Sequence, residues 1–160
     1  MDSSFLNDFD HTIISAEERL AALTHLQSET PRAPGKWSPK EIIGHLIDSA
    51  SNNHQRFIRA QFKDDLMFDG YQQDEWVRVQ KYQLEEWGAL IGLWAAYNRH
   101  LLYVVSHIPE SILKKDRVHH NLHLRAFKPV PPNIPVSLEF FIIDYVDHLK
   151  HHIRQIYPDF

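Results

Sequence analysis

Apolar side chains recur every three or four positions in four long segments of the chain, which is the spacing of amphipathic α-helices. The clearest examples run from Ile43 to Ala60 and from Ile142 to Ile156. The spacing predicts four helices, at about residues 15–27, 38–62, 84–107 and 137–157. No segment alternates between apolar and polar residues over a sustained length, so a β-sheet is not expected. Four such helices most simply pack as a four-helix bundle, and the predicted fold class is all-α.

Local signals place the starts of two helices. The residues Ser38–Glu41 combine a serine N-cap, a proline at the first helical position and a glutamate at the third. The residues Ser15–Glu18 have the same capping-box spacing and predict that the first helix begins there, unless the apolar residues before them extend it. Gly88 and Gly92 stand one turn apart in the third helix, and we interpret them as permitting the close approach of a neighbour.

The connections between the later helices are long, with about 20 residues before the third helix and nearly 30 after it, which is typical of functional segments or of additional structure. The earlier connection is rich in aromatic residues, so we expect it to pack on the bundle or against a second subunit; these residues are Phe68, Tyr71, Trp76 and Tyr82. Short strands are also compatible with residues 77–79 and with the stretch after Val118.

Composition excludes several classes of function. The 17 lysines and arginines against 21 aspartates and glutamates give a net charge of −4, so there is no basic surplus for binding nucleic acid. The absence of cysteine excludes a disulfide framework, a thiolate zinc site and a cysteine nucleophile. No stretch approaches the ~18 apolar residues of a membrane span, and the first residues do not resemble a secretory signal. We therefore expect one cytoplasmic domain, residues 1–160, without a membrane partner.

Histidine is the one unusual component, with 12 residues in the chain. His148 and His152 stand four positions apart in the last helix, so their imidazoles share a face and can bind one ion at Zn–N distances of about 2.0–2.1 Å. His148 and His151 have the alternative spacing of three, but His151 falls nearly opposite the apolar stripe and is interpreted as a surface residue. His45 lies beside the apolar stripe of the second helix and meets the pair if the two helices are antiparallel.

Three neutral imidazoles with an open position describe a catalytic metal site rather than a closed structural one. The alternative is that His148 and His152 only form hydrogen bonds at the rim of the bundle, with His45 a satisfied core histidine. Imidazole ligands suit zinc, nickel, copper and iron alike, so the spacing leaves the identity of the metal open.

Other residues near these positions have two interpretations each. Trp37 either lines the site or acts as a hydrophobic staple at the start of the second helix. Three aspartates either orient a ligand imidazole or lie on solvated faces, namely Asp48, Asp144 and Asp147. Four residues of the 110–136 connection either contact a substrate or lie on the loop surface without a role in the site. They are His119, His120, His123 and Arg125.

Two segments about 100 residues apart resemble the signatures of the DinB-like superfamily. Residues Gly35–Ser49 (GKWSPKEIIGHLIDS) resemble its helix-two signature, and Asp147–Ile156 (DHLKHHIRQI) resembles its C-terminal signature. The resemblance covers the chain from about Ser15 onward. It implies an up-down-down-up four-helix bundle with a long crossover connection. It also implies a divalent metal ion, usually zinc or nickel, held by His45, His148 and His152.

The same resemblance implies a function. Characterised members include bacillithiol S-transferases and a mycothiol-dependent maleylpyruvate isomerase, in which the metal is thought to activate a low-molecular-weight thiol, and many others are named only as metal-dependent hydrolases. We therefore expect a metal-dependent enzyme, a transferase or hydrolase, that activates a thiol or water for attack on a small electrophilic substrate. A homodimer is the family-level expectation. The alternatives are a metal-binding bundle without turnover and an oligomeric interaction module.

Overall fold

Four long helices and three short ones make up the computed structural model, which describes residues 1–160. The long helices are α1 (Ser3–Ala21), α3 (Pro39–Arg59), α5 (Trp87–Ser106) and α7 (Leu138–Ile156). The short ones are α2 (His25–Glu29), α4 (Gln73–Gln80) and α6 (Glu110–Leu113), with 3₁₀ turns at Tyr82–Leu84 and Leu122–Leu124. None of the helices combines the length and the apolar character that crossing a bilayer requires.

Contacts between α3 and α7 show that these two helices are antiparallel. Near the end of α3, the Phe57 ring packs against the rings of Phe141 and Tyr145 in the first half of α7, with centroids 5.8 Å apart in both cases. Near the start of α3, the His45 ring meets the His148 ring from the second half of α7. Helix α1 runs parallel to α7. Phe9, in the first half of α1, packs against Tyr145 in α7, and the Arg19 carbonyl near the end of α1 accepts a hydrogen bond from Tyr157, directly after the end of α7.

Helix α5 completes the bundle and runs antiparallel to α1. The Trp87 indole at the start of α5 donates a hydrogen bond of 3.0 Å to the carbonyl of Leu20, at the end of α1. Farther along α5, Arg99 pairs with Glu17, an earlier residue of α1. The directions of the four long helices are therefore up, down, down and up. The predicted all-α four-helix bundle with a long crossover is confirmed, with the crossover joining α3 to α5.

Two of the predicted helices have the predicted starts. Ser38 accepts a hydrogen bond from the Glu41 amide at 3.3 Å, and the Glu41 carboxylate accepts one from the Ser38 amide at 2.8 Å. This capping box begins α3 as expected, although the helix ends at Arg59 rather than near residue 62. Ser137 caps α7 by accepting a hydrogen bond of 3.1 Å from the Phe140 amide, and the bounds of α7 differ from the predicted ones by a single residue at each end.

The first helix begins well before Ser15, because the apolar residues that precede Ser15 extend it, as one of the two alternatives predicted. Asp2 is the N-cap of α1, and Ser15 lies within the helix instead of capping it. The buried side chains of α1 include Phe9, Ile13 and Ala16, whose spacing of four and three continues past Ser15 without interruption. A local capping motif is therefore overridden by a longer apolar stripe that can be buried in the bundle. The chain turns after Ala21, and a second capping box at Thr24 begins α2.

The two connections contain helical turns and packed loops rather than strands. Residues 77–79, where a strand was considered, lie in α4, and the stretch after Val118 contributes only an isolated bridge between Leu66 and His120. The aromatic crossover packs on the bundle, which confirms one of the two alternatives predicted for it. The Phe68 ring stacks on Phe141 at 5.4 Å, and Tyr82 is buried against α3.

Close approach of a neighbour occurs at a different glycine from those predicted. The interpretation of Gly88 and Gly92 is wrong, since a Cβ at Gly92 would meet open space and one at Gly88 would meet only the Glu86 side chain. The approach occurs at Gly44 in α3, where a Cβ would overlap the Tyr82 ring. The Tyr82 hydroxyl then donates a hydrogen bond of 2.7 Å to Asp48, one turn farther along α3. The missing side chain of Gly44 therefore lets the crossover lie flat on this helix.

Substitution of these glycines tests the packing of the crossover. Gly44→Ala should destabilise the protein by about 1–3 kcal/mol, because the Tyr82 ring has to move from its site. Gly92→Ala, at an exposed position within a helix, should instead stabilise it by up to about 1 kcal/mol. Urea unfolding of both variants in the presence of a chelator measures the difference. Equal stability of the two variants would contradict the close approach at Gly44.

Candidate metal centre

Three imidazoles from α3 and α7 converge on one point. The ring centroids of His45 and His148 are 5.3 Å apart, those of His45 and His152 are 4.7 Å apart, and those of His148 and His152 are 4.5 Å apart. One nitrogen of each ring lies within 4.8 Å of the others. The three histidines singled out in the sequence are therefore brought together by the antiparallel arrangement of the two helices, with His45 buried and the other two half-buried.

The donor set fits a metal ion better than it fits a hydrogen-bond network. The Nε2 atoms of His45 and His148 are 3.4 Å apart, and two nitrogen ligands of a tetrahedral zinc ion lie about 3.3 Å apart at ordinary Zn–N distances. The Nδ1 atom of His45 is buried without any hydrogen-bond partner. His45 is therefore not the satisfied core histidine of the alternative interpretation, because one of its two nitrogens has no protein partner.

Burial keeps all three rings uncharged at neutral pH. Burial lowers the pKa of His45 to about 3, and the nearby His152 lowers it as well. The pKa of His148 falls to about 2 from burial and then from the neighbouring imidazoles. Burial also lowers the pKa of His152 to about 4, although its hydrogen bond with Gln155 acts in the opposite direction. Neutral imidazole, with a free lone pair, is the form of histidine that binds metal ions.

Aromatic side chains cover the three histidines from two sides. The Trp37 ring lies 5.1 Å from the His45 ring and is stacked 6.4 Å from the His152 ring, so Trp37 lines the site. Phe127, in the connection before α7, packs 5.5 Å from the His148 ring. The sequence analysis did not predict Phe127 as a residue of the site. A single aromatic residue beside a proline-rich stretch does not indicate which side chains it will contact in the folded protein. His151 is exposed, as predicted.

The aspartates do not orient the imidazoles. Asp144 accepts hydrogen bonds from the backbone amides of Phe127 and Lys128, at 2.8 and 2.7 Å. It thereby fixes the segment that carries Phe127 over His148. Asp147 forms an ion pair of 2.5 Å with the Lys128 side chain. Asp48 accepts hydrogen bonds of 2.7 Å from Gln80 and Tyr82 of the crossover. None of the three carboxylates is hydrogen-bonded to an imidazole, and the alternative of a solvated face is also wrong for Asp48 and Asp144, which are buried.

The histidines of the 110–136 connection do not reach the site. His120 is buried and donates to the Ile134 carbonyl at 2.9 Å, while its other ring nitrogen accepts from the Leu122 amide at 3.3 Å, so it holds the connection itself together. His119 and His123 are exposed. Arg125, by contrast, lines the cavity next to the histidines.

A cavity of about 390 Å³ opens beside His45 and His148. One wall is a face of α3, and the opposite wall is a face of α7 that includes Tyr145. The α3 wall is polar and consists of His45, Ser49, Asn53 and Arg56. The neighbouring Asn52 does not belong to this wall, and its side chain donates a hydrogen bond of 2.9 Å to the Asp48 carbonyl of its own helix.

The neutral state of the three buried imidazoles predicts how stability depends on pH. Metal-free protein should lose stability as the pH falls below about 6.5, because the unfolded chain then binds protons that the folded chain excludes. Each imidazole that stays uncharged in the folded chain contributes up to about 1.4 kcal/mol per pH unit. Urea unfolding with a chelator between pH 7.5 and 5 measures the decline. His148→Gln should reduce it and the exposed control His151→Gln should not; equal slopes in both variants would contradict the burial argument.

Comparison with known proteins places this geometry in a family. A curated relative from Bacillus cereus (strain G9842), named "Putative metal-dependent hydrolase", is 25% identical over 100 residues. That match covers 61% of this chain and only 56% of the relative, so it spans little more than half of that protein. The solved structure of YfiT from Bacillus subtilis, described as "a probable metal-dependent hydrolase with an unusual four-helix bundle topology", has the same fold. Its TM-score is 0.76 at 17% identity, over 99% of this chain and 87% of YfiT.

The model of one family matches nearly the whole chain, from residue 8 to residue 156. The match includes α3 and α7 up to its last residue, and with them all three converging histidines. It agrees with the resemblance carried by the sequence signatures around His45 and His148. The chain belongs to the DinB superfamily.

Proposed function

We propose that this protein is a metal-dependent hydrolase that binds one divalent cation through His45, His148 and His152. The observation that carries the proposal is the convergence of three neutral imidazoles, within 4.8 Å, two of which, His45 and His148, line an open cavity. The names of the Bacillus cereus relative and of YfiT support the same class of function. Zinc and nickel are the proposed ions, because both accept imidazole ligands and the chain has no thiolate to offer.

Three protein ligands leave a position of the ion open, as is usual in catalytic sites. A bound divalent cation supplies Lewis-acid chemistry, since it lowers the pKa of a water molecule in contact with it to near 7 and polarises a carbonyl or phosphoryl oxygen. The side chains around the site have separate tasks. Trp37 and Phe127 limit the access of bulk water to the histidines, and Asp144 holds the backbone of Phe127 in place.

The cavity determines what reaches the histidines. Its volume of about 390 Å³ suits a small organic molecule rather than a polymer. Ser49, Asn53 and Tyr71 line it and offer hydroxyl and amide groups that can orient a polar substrate. Thiol transfer, the other activity implied by the family resemblance, would use the same cavity and the same ion. The expected homodimer and cytoplasmic location stay predictions.

Metal content tests the ligand set. Protein purified without a nickel resin should contain about one divalent ion per chain, and His148→Ala and His152→Ala should each lose most of it, because two imidazoles hold a labile ion weakly. His151→Ala is the matched control on the same helix, where the side chain is exposed, and should retain the ion. Inductively coupled plasma mass spectrometry gives the stoichiometry. Unchanged metal content in His148→Ala would reject the assignment of this ligand.

Activity separates hydrolysis from the alternatives. We expect the zinc- or nickel-loaded protein to hydrolyse at least one member of a panel of small esters, amides and phosphoesters, and a chelator or His148→Ala to reduce the rate at least ~100-fold. The same panel with added low-molecular-weight thiols and alkylating electrophiles detects transfer. If a chelator lowers the melting temperature but the metal-loaded protein turns over no compound of either panel, the protein is a metal-binding bundle without catalytic activity.

A further inference from the structure

Two guanidinium groups lie in the same cavity as the histidines. Arg56 belongs to the α3 wall, 11 residues after His45, which corresponds to roughly 16 Å along the helix. Arg125 enters the cavity from the connection between α6 and α7. The cavity therefore has imidazoles at one end of its α3 wall and positive charge at the other.

Arg56 is buried without an anionic partner. Its side chain is only 8% exposed, and it forms no ion pair with any carboxylate. Its Nη2 donates to the Asp69 carbonyl at 2.7 Å, and its Nη1 donates to the Asn53 side chain at 3.3 Å. A guanidinium has five N–H donors, so three of them remain free. Burial is the main cause that lowers the pKa of Arg56; the charge of Arg125 also lowers it, whereas the nearby Tyr71 and the Asp69 carboxylate act in the opposite direction.

Arg125 is held only by backbone carbonyls. Its Nε donates to Phe68 and its Nη1 to Leu124, both at 3.1 Å, which leaves the Nη2 atom free. The guanidinium lies directly against Gly70, where a Cβ would come within 2.5 Å of Nη1. A glycine at this position therefore gives the arginine its place at the cavity wall.

The remaining charge on the cavity wall does not neutralise the two arginines. Asp144 is the one carboxylate among the lining residues, and it already accepts two backbone hydrogen bonds from the segment of Phe127 and Lys128. Asp69 contributes its carbonyl to Arg56, while its side chain is exposed and forms no ion pair. The cavity thus presents two cationic groups that have unused donors and no carboxylate as an ion-pair partner.

We infer that the cavity binds an anionic substrate, with its carboxylate or phosphate group held by Arg56 and Arg125. The planar fork of a guanidinium matches the oxygens of both groups in a bidentate manner. The rest of the molecule would extend along Ser49 towards His45 and His148. That the anion is a substrate rests on the proposed function, whereas the anion site itself requires no metal ion.

Calorimetric titration of chelator-treated protein tests the anion site on its own. The probes are phenyl phosphate, phenylacetate and the neutral phenylacetamide. We expect the wild-type protein to bind at least one of the two anions and to bind phenylacetamide at least tenfold more weakly; the anion that binds more tightly identifies the group recognised. Arg125→Gln should weaken anion binding at least tenfold, because charged bidentate hydrogen bonds are lost.

Arg59→Gln is the matched control, since it removes the same charge from an exposed position of α3 whose guanidinium bonds only to Gln55. It should leave anion binding unchanged. Arg125→Lys keeps the positive charge but lacks the planar guanidinium, so it should bind the anion with an affinity between those of the wild type and Arg125→Gln. If Arg125→Gln has a lower melting temperature than the wild type, Arg125→Lys replaces it in the test. Binding of neither anion by the wild type, or equal losses in Arg125→Gln and Arg59→Gln, would overturn the inference.

Metal analysis of the same variants separates the two proposals. Arg125→Gln should contain as much metal as the wild type, because Arg125 contacts none of the three histidines. Anion binding without any bound metal in the wild type would leave the anion site standing and reject the metal-dependent function. If the protein binds metal and hydrolyses a substrate but Arg125→Gln does not change the affinity for anions, the metal-dependent function stands and the anion site is rejected.

Discussion

Burial of three uncharged imidazoles between two antiparallel helices is the constraint on which the candidate site depends. A helix turns by about 100° and rises 1.5 Å per residue, so a shift of α3 by one residue would remove His45 from His148 and His152. The register is fixed at the other end of the pair, where the Phe57 ring packs between the rings of Phe141 and Tyr145. Aromatic packing in the core therefore holds the nitrogens of the site together.

Helix α3 is buried around most of its circumference, and this explains why so many polar residues lie inside the bundle. One side of α3 carries Gly44 and Asp48 and is covered by Tyr82 of the crossover. The side that carries His45 and Arg56 faces the cavity instead. Buried polar groups are costly unless they have partners. The crossover provides partners for Asp48 and for part of the Arg56 guanidinium, whereas the Nδ1 atom of His45 has none. The long connections are thus part of the site rather than simple links between helices.

The two ends of the cavity have different chemistry, and the proposals assign them different tasks. Neutral imidazoles at one end suit a divalent cation, and guanidinium groups with free donors at the other suit an anion. Membership of the DinB superfamily accounts for the fold. Arg125 comes from the connection before α7, and such loops on a rigid scaffold commonly determine which ligand is bound.

The sequence alone determined the features that depend on local spacing. Ser38 and its capping box begin α3, and the four-residue interval of His148 and His152 puts two imidazoles on one face, because helix geometry relates these residues directly. Only the tertiary structure decided that Trp37 covers the histidines and that Arg125, not the loop histidines, enters the cavity. Those contacts join residues far apart in the chain, and their partners are set by how the connections pack on the finished bundle.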